Sequence, residues 1–125
     1  MNESSFTQYL KCKISKEVYC WKVSTMFNSG IPDCWFSGSH GDLWLEVKYP
    51  SIPKRNSTLF NPALSDLQLK WLIDRKKEGR NVAVLLGSEI GCYIYTDDFT
   101  KFITRKDLTL TRQQVIEWIE KETLG

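Results

Sequence analysis

The sequence predicts an α/β protein. Three separated segments carry apolar residues at helical spacing, and the runs between them are short, rich in β-branched and aromatic residues, and bounded by Gly, Pro, Asn and Ser. Read in order, these segments give a helix, three strands, a helix, two strands and a final helix. The chain has 125 residues, enough to bury one substantial core but not two, so a single domain spanning 1–125 is expected.

The opening "NESSFTQYLKCKIS" places Phe6, Tyr9, Leu10 and Ile14 on one helical face, with Asn2 or Ser4 available as cap. "EVYCWKVS" alternates as a strand does, and "NSG" with Pro32 punctuates the chain before the second strand. A hairpin comes next: Asp33 to Phe36, the turn "SGSHGD", then "LWLEVK". Period-two geometry puts Leu43, Leu45 and Val47 on one face of the return strand, and Trp44, Glu46 and Lys48 on the other. Pairing Phe36 with Leu43 would set Asp33 opposite Glu46.

In "NPALSDLQLKWLIDRKKEG" the pattern predicts a helix, with Asn61 as cap, Pro62 in the first turn and Gly79 as the stop. Its expected buried stripe is Leu64, Leu67, Trp71 and Leu72, with Gln68 beside it. "NVAVLL" and "GCYIYT" read as strands, and a Thr111-x-x-Gln114 capping box opens the last helix.

Composition narrows the function classes. Apolar residues make up 42% and charged residues 26%, ordinary values for a folded soluble protein, and no apolar run could cross a bilayer. With no leader-like start, a cytosolic protein is expected, with no membrane partner. Cys12, Cys20, Cys34 and Cys92 form no CxxC pair and His40 is the sole histidine, which disfavours a structural zinc site and fits reduced, mostly buried thiols. A net charge of +2 does not by itself announce a nucleic-acid binder, but cations cluster after the hairpin (Lys54, Arg55) and on the second predicted helix (Lys70, Arg75). Of the five tryptophans, Trp21, Trp71 and Trp118 are expected inside, whereas Trp35 and Trp44 flank the hairpin acids.

Two carboxylates facing each other across a strand pair repel, increasingly so as the site dries. A neighbouring cation such as Lys48 could neutralise them in an ordinary salt-bridged cluster; alternatively, their oxygens could bind a divalent metal. The surrounding residues bear on that choice. Pro32-Asp33, then Glu46-Val47-Lys48, then Gln68 on the next helix resembles the PD-(D/E)XK nuclease superfamily. The words "GIPD", "WLEVK" and "LSDLQLKWL" are most similar to its virus-type replication-repair nuclease (VRR-NUC) branch, small domains common in phages. The resemblance spans roughly Glu3 to Leu86 and does not extend to "GCYIYT" or the final helix, which could serve as dimer contacts or a lineage-specific addition.

That resemblance implies a restriction-endonuclease-like core, a central mixed β-sheet flanked by helices. It implies Asp33, Glu46 and the Val47 carbonyl as ligands for Mg²⁺ (or Mn²⁺), with Glu3 on the first helix as a further metal ligand and Glu17 a weaker match. Asp33, Glu46, Lys48 and Gln68 would be the catalytic group: Lys48 orienting water or assisting the developing oxyanion, Gln68 holding the water or Lys48. Lys54, Arg55, Lys70 and Arg75 would neutralise backbone phosphates. The implied activity is phosphodiester hydrolysis on branched or structured DNA by a homodimer in phage replication or repair. The competing readings are a catalytically silent binding module of the same fold, acting on DNA ends or a host protein, and a domain whose acids Lys48 merely bridges.

Overall fold

The structure is a computed structural model and describes residues 1–23 and 30–125. Helix α1 spans Glu3–Lys13, strand β1 Tyr19–Lys22, β2 Cys34–Ser37, β3 Asp42–Lys48, helix α2 Asp66–Lys77, β4 Val82–Leu86, β5 Tyr93–Tyr95 and helix α3 Arg112–Leu124, with a short 3₁₀ turn at Arg105–Asp107. The five strands form one sheet in the order β1-β2-β3-β4-β5. Every pairing is antiparallel except β3 with β4, which α2 connects as a parallel crossover. Asn28 and Ser29, part of the predicted punctuation before β2, lie outside the described residues.

The hairpin register follows the hydrophobic pattern: Phe36 faces Leu43, Trp35 faces Trp44 and Cys34 faces Leu45. One residue's slip would have turned Leu43, Leu45 and Val47 away from the core. Those three pack with Phe6 and Leu10 of α1 and with Val115, Ile116 and Ile119 of α3. The opposite face buries Val82, Val84 and Leu86 against Leu72 of α2 and against Tyr95, Phe99, Ile103 and Leu108. With both faces covered, all five residues of β4 are buried, which explains its uninterrupted apolar run.

Three expectations need correction. Helix α2 starts at Asp66, not near Asn61: the Asn61 side chain accepts from the Ala63 amide at 3.0 Å in a local turn, and Ala63 takes a left-handed φ of 54°, which a helix cannot propagate. Ser65 caps instead, in a reciprocal box with Gln68. Leu67, expected in the buried stripe, faces outward at 47% exposure, and Leu72 is the helix's fully buried apolar anchor. Trp21, expected inside, is 59% exposed, because β1 is an edge strand that lies beyond the cover of α2. Helix α3, beyond the span of the resemblance, contributes Val115, Ile116 and Ile119 to the main core.

The chain before β2 is held by a close approach. Gly30 has φ +78°, and a Cβ there would collide with the Leu67 carbonyl oxygen and lie 2.9 Å from the Gln68 nitrogen, both backbone atoms of the first turn of α2. A Gly30→Ala variant is therefore expected to lose about 2 kcal/mol of stability through φ strain and steric displacement. A denaturant midpoint equal to wild type would refute that account.

Candidate active site

Local folding brings four chemical groups together on the α2-covered face of the central β2–β3 hairpin. Asp33 immediately precedes β2, and continuing the β2–β3 register sets it opposite Glu46 on the face covered by α2. Its carboxylate Oδ2 accepts from the Val47 amide at 3.1 Å, which ties the aspartate to the neighbouring strand. Lys48, two residues beyond Glu46, is half-buried on that same face. From α2, Gln68 Nε2 donates to Glu46 Oε2 at 3.4 Å, while its Oε1 accepts from the Ser65 amide at 3.0 Å. Gln68 thus serves as helix cap and as a donor to the acid, so its amide is aimed at Glu46 rather than at Lys48.

Glu46 is the electrostatic anomaly of the molecule. It is only 2% exposed, and its Oε1 has no hydrogen-bond partner. Its pKa is pushed up to about 9, first by burial and then by the neighbouring Asp33 carboxyl group, while Lys48 opposes the rise and Glu3 contributes weakly. Two of these neighbours also act on Glu3, whose pKa partial burial raises, Lys48 lowers and Asp33 raises. The start of α1 therefore does lie within electrostatic reach of the hairpin acids. Glu17 lies before β1 and is exposed.

Among the described residues the ion pairs are Lys70–Asp74, Arg75–Glu78, Arg112–Glu89 and the N-terminal ammonium with Glu89. None involves Asp33, Glu46 or Lys48, so the carboxylates are not already neutralised by a salt bridge. Nor, among the described residues, do three His, Cys, Asp or Glu side chains gather as a ready metal-binding group. The unit present is a carboxylate pair with one orphaned oxygen beside the Val47 backbone, and Glu3 stands outside it.

An unsatisfied buried carboxyl oxygen is costly, and either a proton or a cation relieves it. Clustered carboxylate oxygens without histidine or thiolate suit a hard divalent ion such as Mg²⁺ or Mn²⁺, so the donor set fits one. Of the anticipated phosphate contacts, Lys54 and Arg55 are exposed in the β3–α2 loop. Lys70 is held by Asp74 at 2.8 Å and Arg75 by Glu78 at 3.2 Å along their own helix.

One supporting network carried no signal in the sequence. The Tyr49 hydroxyl donates to Glu89 Oε1 at 2.6 Å, and Arg112 Nη2 lies 3.5 Å from Glu89 Oε2 and 3.4 Å from the Tyr49 oxygen. It fastens the chain directly after Lys48 to the loop following β4 and to the start of α3. Its members are 40 and 63 residues apart, beyond any local pattern.

No family model matches the chain, and no curated protein does. Among solved structures the chain is similar to Hjc of Archaeoglobus fulgidus, a Holliday junction resolvase from an archaeal hyperthermophile. The two are 16% identical, and the match covers 92% of this chain and 98% of that one with a TM-score of 0.59. The α/β fold described above, a five-stranded mixed sheet flanked by helices, is therefore the restriction-endonuclease-like fold of that resolvase.

Proposed function

We propose that this protein is a divalent-metal-dependent DNA endonuclease of the PD-(D/E)XK type that hydrolyses phosphodiester bonds in branched DNA. The observation that carries the reading is the convergence of Asp33 and Glu46 around an unsatisfied, buried carboxyl oxygen, with Lys48 on the same face and free of any ion pair among the described residues. The shared fold with a protein that resolves Holliday junctions supports branched DNA as the substrate. The finer form of the proposal is a homodimer of VRR-NUC type from a phage, presenting two sites to paired strands.

In this reading Asp33, Glu46 and the Val47 carbonyl hold the ion. When bound, Mg²⁺ would act as a Lewis acid on the phosphate and lower the pKa of an attacking water. The protein's own groups do the rest. The Val47 amide fixes the Asp33 carboxylate, and Gln68, itself fixed by Ser65, fixes Glu46. Lys48 supplies a positive charge next to the position where phosphate negative charge grows. Lys54 and Arg55, exposed in the loop that follows β3, attract backbone phosphates without reading bases.

The test is incubation of the protein with a four-way junction and with linear duplex of the same sequence, in Mg²⁺, in Mn²⁺ and in chelator. Junction cleavage confined to the metal-containing reactions, leaving 5′-phosphate ends, is expected. Metal-indifferent binding without cleavage would replace this reading with that of a silent binding module.

A further inference from the structure

The same face of the sheet continues into a large open cleft of about 790 Å³ that the site chemistry above does not use. Its floor is three tryptophans in series: Trp35 and Trp44, paired across β2–β3 with ring centres 6.0 Å apart, and Trp71 of α2, edge-on to Trp44 at 5.5 Å. All three are only half-buried. Arg75 lies over the Trp71 ring at 6.0 Å, and Arg80 lines the rim, exposed and in no ion pair among the described residues. Asp42 and Glu122 close the far side.

The placement relative to the acids is regular. Trp35 and Trp44 stand two residues from Asp33 and Glu46 along their strands, a step of about 7 Å. Helix α2 keeps the same order, since Gln68 touches Glu46, Trp71 touches Trp44, and Arg75 lies one turn further on. Carboxylate pair and aromatic cleft are thus neighbours along β3 and α2.

A tryptophan wall offers stacking to any nucleobase, arginines at the rim complement phosphate, and carboxylates at the far side can accept from the amino groups of a base edge. The volume also falls in the range of small-ligand sites. A further observation points to a missing partner: the Arg75 Nε–H is buried and has no acceptor. We infer that the tryptophan cleft binds an unpaired nucleobase of single-stranded DNA, from the nucleotide next to the phosphate held at Asp33 and Glu46. The inference rests on the nuclease reading and deepens it. A base can enter the cleft only if it is unstacked, so the cleft would confer preference for branch points and strand openings over intact duplex.

The experiment uses the full chain carrying Asp33→Asn, so that binding is read without cleavage. A junction with 5-iodouracil at the branch is irradiated and the cross-linked peptide is mapped by mass spectrometry; affinity for a fluorescent thymine oligonucleotide is measured alongside. Cross-links to Trp35, Trp44 or Trp71 are expected, with affinity about tenfold weaker in Trp35→Ala and reduced in the exposed-site variant Arg80→Ala. Single-strand binding that neither variant weakens, with cross-links elsewhere, overturns the cleft assignment and leaves the nuclease reading standing. So does conversion of a dimer to monomer by Trp35→Ala with DNA affinity unchanged, since the cleft would then seat a second copy. Oligonucleotide capture in the cleft by a protein that cleaves no DNA in any metal upholds the cleft and removes the nuclease reading, whereas no nucleic-acid binding at all removes both.

Discussion

Replacing Lys48 with alanine is expected to slow junction cleavage by at least about 100-fold, the scale of losing one donor aimed at developing negative charge. Stability should hardly move, because the half-buried ammonium has no ion-pair partner among the described residues to leave stranded. Mg²⁺ should still raise the melting temperature of this variant, since both carboxylates remain. Single-turnover cleavage and thermal melting with and without metal check the pair of outcomes. Cleavage at the wild-type rate would remove Lys48 from the mechanism, and loss of the metal-induced shift would reassign it to metal binding.

Glu46→Gln should have the opposite signature, gaining stability while losing function. The folded-state carboxyl keeps its proton up to about pH 9, whereas in the unfolded chain it ionises near its ordinary 4.5. Between those values the folded state binds the extra proton, so the stability of the metal-free protein falls as pH rises. Glutamine preserves the shape and cannot ionise. Removing a burial cost of about 1–3 kcal/mol should raise the melting temperature in chelator at pH 8 by roughly 4–10 °C and flatten its pH dependence. Cleavage and metal-induced stabilisation should both vanish. A wild-type melting temperature that is level from pH 6 to 8 in chelator, together with a destabilised variant, would show that Glu46 is ionised and satisfied in the folded protein.

Such a trade-off is consistent with a functional site, because an all-structural carboxylate would have been given partners for both oxygens. The Tyr49–Glu89–Arg112 network shows the protein doing just that a few residues away, where a carboxylate receives a hydroxyl and a guanidinium.

Local pattern was enough to read the order of elements, the hairpin register and the capping box of α3, since each depends on residues within a few positions of one another. It was enough, too, to put Asp33, Glu46 and Lys48 on one face, because two-residue periodicity and a single cross-strand pairing decide it. Local pattern misjudged the start of α2, where a cap-like Asn61 and Pro62 compete with a left-handed Ala63 visible only in three dimensions. It also put Trp21 inside, because an alternating strand pattern does not say whether a neighbouring helix reaches the sheet edge.

The amino-acid sequence by itself determined the α/β order and which side chains share a strand face, both consequences of short-range geometry. The tertiary structure alone decided that Glu46 is buried with an orphaned oxygen, that Gln68 points at it, and that three tryptophans from separate elements form one cleft. Those properties arise from how α2 lies across the sheet. Desolvation and cross-element contact depend on atoms far apart in the chain, which no local pattern encodes.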